Sequence, residues 1–157
     1  MKKYLIVFLI SMVPLIELRG AIPYAVGFGL KTVPSYIVAV VGNMIPVPFI
    51  FLFARRILEW GKDRRFIGKF FTWCLNKGEK GGRKLQEKAG RGLYVALLLF
   101  VGIPLPGTGA WTGTLAASFL NMDFKKSVFA VLAGVVLAGV IMLAGSLGVF
   151  GAIGLMK

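Results

Sequence analysis

Pro14-Leu-Ile-Glu-Leu-Arg-Gly-Ala-Ile-Pro23 is the stretch on which the reading of this chain turns, and Ile103-Pro-Leu-Pro-Gly-Thr-Gly-Ala-Trp-Thr-Gly113 is its weaker echo. In the first, Glu17 and Arg19 interrupt a run that is otherwise apolar from Tyr4 to Leu30. At mid-bilayer each charge costs roughly 2.5–3.5 kcal/mol unless it is paired or hydrated. The flanks are too apolar for a solvated loop between soluble helices, so the two charges point to a protein-lined site within a membrane.

Composition agrees. The 157 residues are 57% hydrophobic with only six Asp plus Glu, and the mean hydropathy is +0.82. That is one small integral membrane domain over 1–157. The formal charge of +13 raises nucleic acid as a partner, but twelve of the nineteen Lys and Arg fall between Arg55 and Arg91. A basic block of this kind beside apolar segments reports cytoplasmic orientation and anionic headgroups, and it argues against nucleic acid. With no His and with Cys74 alone, neither an internal disulfide nor a His or Cys metal site is expected. No cofactor is called for. Glu59, Asp63, Glu79 and Glu87 sit among basic residues and Asp123 in a short polar loop, which leaves no paired carboxylates for acid and base catalysis; an enzyme is not expected. Met1-Lys-Lys before an apolar run resembles a signal peptide, but no small-x-small cleavage pattern follows, so the segment is kept in the mature protein.

Working outward, Tyr4–Val13 and Ala21–Leu30 are apolar arms of about ten residues, each about 15 Å as a helix and so half a hydrocarbon thickness. Val33–Phe53 is long enough to span. It carries Gly42, Asn43, Pro46 and Pro48, and its prolines predict a kink facing protein or water. In the basic block Phe66, Ile67, Phe70, Phe71 and Cys74 recur at helical spacing beside Lys62, Arg64, Arg65 and Lys69, the pattern of an amphipathic interfacial helix. Asn76–Gly92 is expected to break it with glycine and charge, and the segment suits a solvated connector between the two halves as well as a lipid-binding element.

The second half repeats the plan. Leu93–Val101 is an apolar arm, Pro104 to Gly107 breaks it, Ala110–Phe119 is a small-residue arm, Asn121–Lys126 is a polar loop, and Ser127 to about Gly148 can span. Setting Arg19-Gly20-Ala21 against Thr108-Gly109-Ala110 aligns arms and breaks. Interrupted hydrophobic segments at matching places in two halves point to a transporter's binding site. The expected fold is all-α: two inverted repeats (about 4–54 and 92–150), each a re-entrant helical hairpin plus a transmembrane helix, joined by a basic amphipathic cytoplasmic linker over 55–91. The alternative is four crossings in two parallel repeats. Positive-inside counting tolerates both, but the parallel arrangement leaves helix breaks facing lipid.

Glu17-x-Arg19-Gly-Ala-Ile-Pro23 and Pro104-Leu-Pro-Gly-Thr-Gly-Ala-Trp-Thr-Gly113 resemble the two signature blocks of the small multidrug export protein family, over nearly the whole chain. That family is similar in turn to the DedA-like, or VTT-domain, membrane proteins. The resemblance implies re-entrant hairpins meeting at mid-membrane in the cytoplasmic membrane. For the DedA-like relatives it implies lipid translocation, including recycling of undecaprenyl phosphate, together with drug tolerance that depends on the proton-motive force. Thr108 stands where DedA-like proteins usually carry an acid.

Chemically, the two breaks suit an anion. Arg19 offers a planar fork for phosphate oxygens, and Gly20, Gly107 and Gly109 free backbone N–H groups at half-helix starts. Thr108 and Thr112 add hydroxyls, and Pro104 and Pro106 shape the break; Trp111 and Tyr24 beside the breaks serve either to cover an isoprenoid or acyl chain or to pack between the hairpins. Asn43 is a further polar candidate. Glu17 is expected to hold Arg19 in the empty site, its protonation releasing Arg19 or coupling transport to protons; the alternative is a structural Glu17–Arg19 pair that only pins the hairpin. Three readings follow: a translocase for an anionic lipid phosphate; an exporter of small drugs or cations with Glu17 as the binding group; and a non-transporting scaffold. Ala130, Gly134 and Ala138, at four-residue spacing on the last helix, suggest a homo-oligomer.

Overall fold

The computed structural model describes residues 2–65, 68–89, 92–120 and 122–154. Phe66, Ile67, Arg91 and Asn121, named above, lie outside them. All regular structure among the described residues is helical. Helix α1 (Lys2–Met12) ends before Pro14, whose ring cannot continue the ladder, and a four-residue turn leads into α2 (Glu17–Gly27). Gly29, at φ +63, closes α2. Its N–H bonds Val26 C=O and that of Leu30 bonds Ala25 C=O, both at 3.0 Å, the paired bonds of a Schellman cap.

Helices α3 (Thr32–Met44) and α4 (Pro46–Phe49), a π-helical turn (Ile50–Ala54) and α5 (Arg55–Gly61) follow one another almost without interruption. Thr32–Phe53 is apolar over 22 residues, about 33 Å and enough to cross a bilayer. The expected irregularity is there as a break at Ile45 and the π turn. Ser118 donates its hydroxyl to Phe51 C=O in that turn at 2.9 Å, so a neighbouring helix satisfies the irregular backbone.

Helix α6 (Gly68–Ala89) corrects one expectation. It continues through Gly78, Gly81 and Gly82, although glycine costs a helix about 1 kcal/mol per residue. It packs along α8 and also touches α7, and tertiary packing of this kind outweighs weak propensity.

Helices α7 (Leu93–Gly102), α8 (Ala110–Phe119) and α9 (Phe124–Ala152) complete the chain. Asp123 caps α9, its Oδ1 accepting from Lys126 N–H at 2.9 Å. The 29 residues of α9 form the second apolar helix long enough to span. Val7, Leu18, Ile22, Leu97, Val101, Val131 and Val135 are buried between α1, α2, α7 and α9. Outward faces are apolar as well: Leu5, Leu9, Val33, Ile37, Val95, Phe129 and Val140 are all exposed. A body apolar both inside and outside is built for lipid.

The small-residue stripe is not free for a second copy. Ala130, Gly134 and Ala138 are buried, and a Cβ on Gly134 would stand 2.7 Å from Leu98 O and from Val101 Cβ. The stripe lets α7 approach α9 within one chain.

Candidate functional site

The loop after α7 is shaped by its own sequence. Leu105-Pro106-Gly107-Thr108 closes on a Thr108 N–H to Leu105 C=O bond of 3.2 Å, with proline second and glycine third at φ +83, the residue order of a type II turn. Gly109 follows at φ +134 and stands at the N-cap of α8. A β-carbon there would lie 2.5 Å from Glu17 Oε2 and 2.8 Å from Oε1. Glycine is required by both the dihedral and the space.

That space is filled by the Glu17 carboxylate, which is 4% exposed and is the only charged side chain buried among the described residues. Its Oε2 accepts from Ala110 N–H at 3.2 Å and its Oε1 from Trp111 N–H at 3.0 Å. Both are orphan donors of the first turn of α8, at the positive end of the helix dipole. The turn before α2 aims the side chain there by taking Leu15 to φ +73 and Glu17 to φ +52, conformations that non-glycine residues seldom adopt.

Arg19 performs the converse task. Nη1 donates to Leu105 C=O at 2.6 Å. Nη2 faces Thr108 Oγ1 at 2.8 Å, Ile103 C=O at 3.4 Å and Val101 C=O at 3.5 Å. These acceptors form the C-terminal end of α7 and the turn behind it, where a cation complements the dipole and the free carbonyls. The Thr108 hydroxyl has Leu105 C=O at 2.8 Å and Ile103 C=O at 3.0 Å as its own acceptors.

Three expectations are corrected by this geometry. Glu17 does not hold Arg19; each charge engages a different half-helix end of the second break. The phosphate position at the start of α8 is filled by Glu17, and the Arg19 fork is taken up by protein oxygens. Gly20 presents no N–H, because its amide bonds Ile16 C=O at 3.1 Å; its small size instead admits the Ile16 side chain.

Of the remaining candidates, Gly107, Thr108, Gly109 and Trp111 join Glu17 and Arg19, Trp111 through its backbone. The Trp111 indole N–H is buried without a partner among the described residues. Pro104 and Pro106 shape the turn, and the Thr112 hydroxyl takes no part in this network among the described residues. Asn43 is fully buried with both amide atoms unpartnered among the described residues.

Sequence reasoning missed Lys77. A β-carbon on Gly107 would meet Lys77 Nζ and Cε at 3.4 Å, so this cation of α6 rests against the turn. Only the docking of α6 on α8 brings it there, and no local pattern announces that. The backbone acceptors of Arg19 were missed too, although a cation facing a helix C-terminus is a known electrostatic preference.

Fold and site together define an all-helical membrane protein in which two charges at the start of α2 engage the facing ends of α7 and α8. The family model described as "Putative small multi-drug export protein" matches residues 17–141, and the chain belongs to that family. No curated protein and no solved structure matches the chain.

Proposed function

We propose that this protein is a multi-pass exporter of small lipophilic cations in the cytoplasmic membrane, exchanging them for protons at Glu17. The observation that carries the reading is the buried Glu17 carboxylate held by the Ala110 and Trp111 amides. A proton or a cationic substrate on that carboxylate removes the negative charge that the start of α8 binds. Either event loosens α8 from α2, and because one carboxylate serves both, the two exchange. Arg19 keeps the end of α7 and its turn together meanwhile. No covalent chemistry is asked of the site, in keeping with a transporter and not an enzyme.

In this reading α1–α2 and α7–α8 are re-entrant hairpins. Supporting it, Lys3 Nζ lies 5.3 Å from the centroid of the Phe28 ring, so the two open ends of the first hairpin are neighbours. At the second, Asp123 N–H donates to the Tyr94 hydroxyl at 3.3 Å. The family's name supports export over the lipid-phosphate reading, whose anion site is occupied by protein.

The test is ethidium movement in proteoliposomes under an imposed pH gradient. Native protein should drive gradient-dependent accumulation, and Glu17→Gln, checked as monodisperse, should lose it. Full gradient-dependent transport by Glu17→Gln removes Glu17 from the mechanism.

A further inference from the structure

We infer that the corner between α5 and α6 is a docking site for the headgroup of an anionic phospholipid. An open concavity of about 460 Å³ lies there, lined by Lys62, Arg64, Arg65, Lys69, Trp73 and Asn76 among others. This size falls among ligand clefts of about 300–1,000 Å³. Four cations converge on it, and no carboxylate lines it among the described residues. Such a set of donors suits a phosphodiester, with guanidinium forks and an amide available to its oxygens.

The surroundings select a membrane lipid over a soluble phosphate. Trp60, Phe70 and Trp73 are 63%, 60% and 45% exposed around the corner. The Arg64 guanidinium lies 4.3 Å from the centroid of Trp60, and Phe70 and Trp73 are stacked at 6.1 Å. Aromatic rings interleaved with cations are the composition of the bilayer interface, where ring bodies sit among glycerol and upper acyl groups. Position agrees: the apolar span Thr32–Phe53 runs into α5, so the corner follows the end of the span by only two helical turns. The site is separate from Glu17 and Arg19, and its test does not read transport.

Full-length protein in mixed micelles would be titrated with phosphatidylglycerol or phosphatidylcholine carrying brominated acyl chains, with tryptophan quenching as the readout. Phosphatidylglycerol should quench at the lower mole fraction. In Arg64→Gln/Arg65→Gln the gap between the two curves should narrow by about fivefold per cation removed. If that variant is not monodisperse, Lys62→Gln and Lys69→Gln singly should each lose about fivefold. Millimolar inorganic phosphate, against chloride at matched ionic strength, should leave the preference intact. Coincident curves for native protein overturn the inference, as does an unchanged preference in the variants. Abolition by inorganic phosphate assigns the corner to a soluble anion and overturns it equally.

Discussion

Arg19 and Thr108, which occupy equivalent places when the two halves of the sequence are aligned, meet in the structure: guanidinium Nη2 donates to the threonine hydroxyl at 2.8 Å. Two positions earlier in the first half, Glu17 reaches past them to the start of α8. The two breaks therefore form one junction, in which the first supplies the charges and the second supplies the helix ends that need them.

Removing the carboxylate should expose this dependence. Glu17→Ala leaves two amides of α8 without their acceptor, at a cost of about 1–3 kcal/mol each at most. Hydrogen exchange at Ala110 and Trp111 should accelerate and the unfolding midpoint in detergent should fall. Unchanged exchange at both amides would mean that α8 starts without help from Glu17.

Arg19→Lys keeps the charge but cannot span Leu105 C=O and Thr108 Oγ1 with one rigid fork. We expect a loss of about 1.5–3 kcal/mol, that of one charge-assisted hydrogen bond, with faster amide exchange confined to residues 103–108. A native exchange pattern would show that a point charge suffices.

Gly109→Ala combines a dihedral that costs about 1–3 kcal/mol for a side chain with a Cβ 2.5 Å from Glu17 Oε2. It should destabilise the protein by at least that much, measured by thermal unfolding. Gly145→Ala, where a Cβ meets nothing within 4 Å, is the control and should be neutral or slightly stabilising.

Gly134→Val should damage the single chain and not its assembly. Overpacking between α7 and α9 costs about 1–3 kcal/mol, so the unfolding midpoint should drop while the mass by light scattering stays native. A lower mass at an unchanged midpoint would instead place this face between copies.

Topology is open to direct labelling. In a Cys74→Ser background, Lys3→Cys and Lys31→Cys should react with an impermeant thiol reagent from the same side of sealed vesicles. Reaction from opposite sides would make α1–α2 a crossing segment.

The helices were legible because their limits are local. Ala110–Phe119 is found as read, and the expected arms before it and in the first half shift by only a few residues, since proline, glycine and charge mark ends wherever they stand. Glu17, Arg19, Gly107 and Gly109 stood out in the sequence too, because charge in an apolar run and glycine in a break are costly without a use, and the structure brings them together. What they bind was not. A carboxylate at a helix N-terminus and a phosphate there satisfy the same donors, and only tertiary structure says which is present. Lys77 and the continuity of α6 through three glycines depend on contacts far apart in sequence, which periodicity does not encode.

The left-handed turn before α2 has a mechanical consequence. Leu15 and Glu17 each sit in a backbone state disfavoured by about 1–3 kcal/mol, and the two Glu17 hydrogen bonds return about 1.5–3 kcal/mol each. These sums nearly cancel, so the junction works as a catch under tension. In the proposed exchange, release of α8 by the carboxylate would free this turn to relax, so the strain favours the released state.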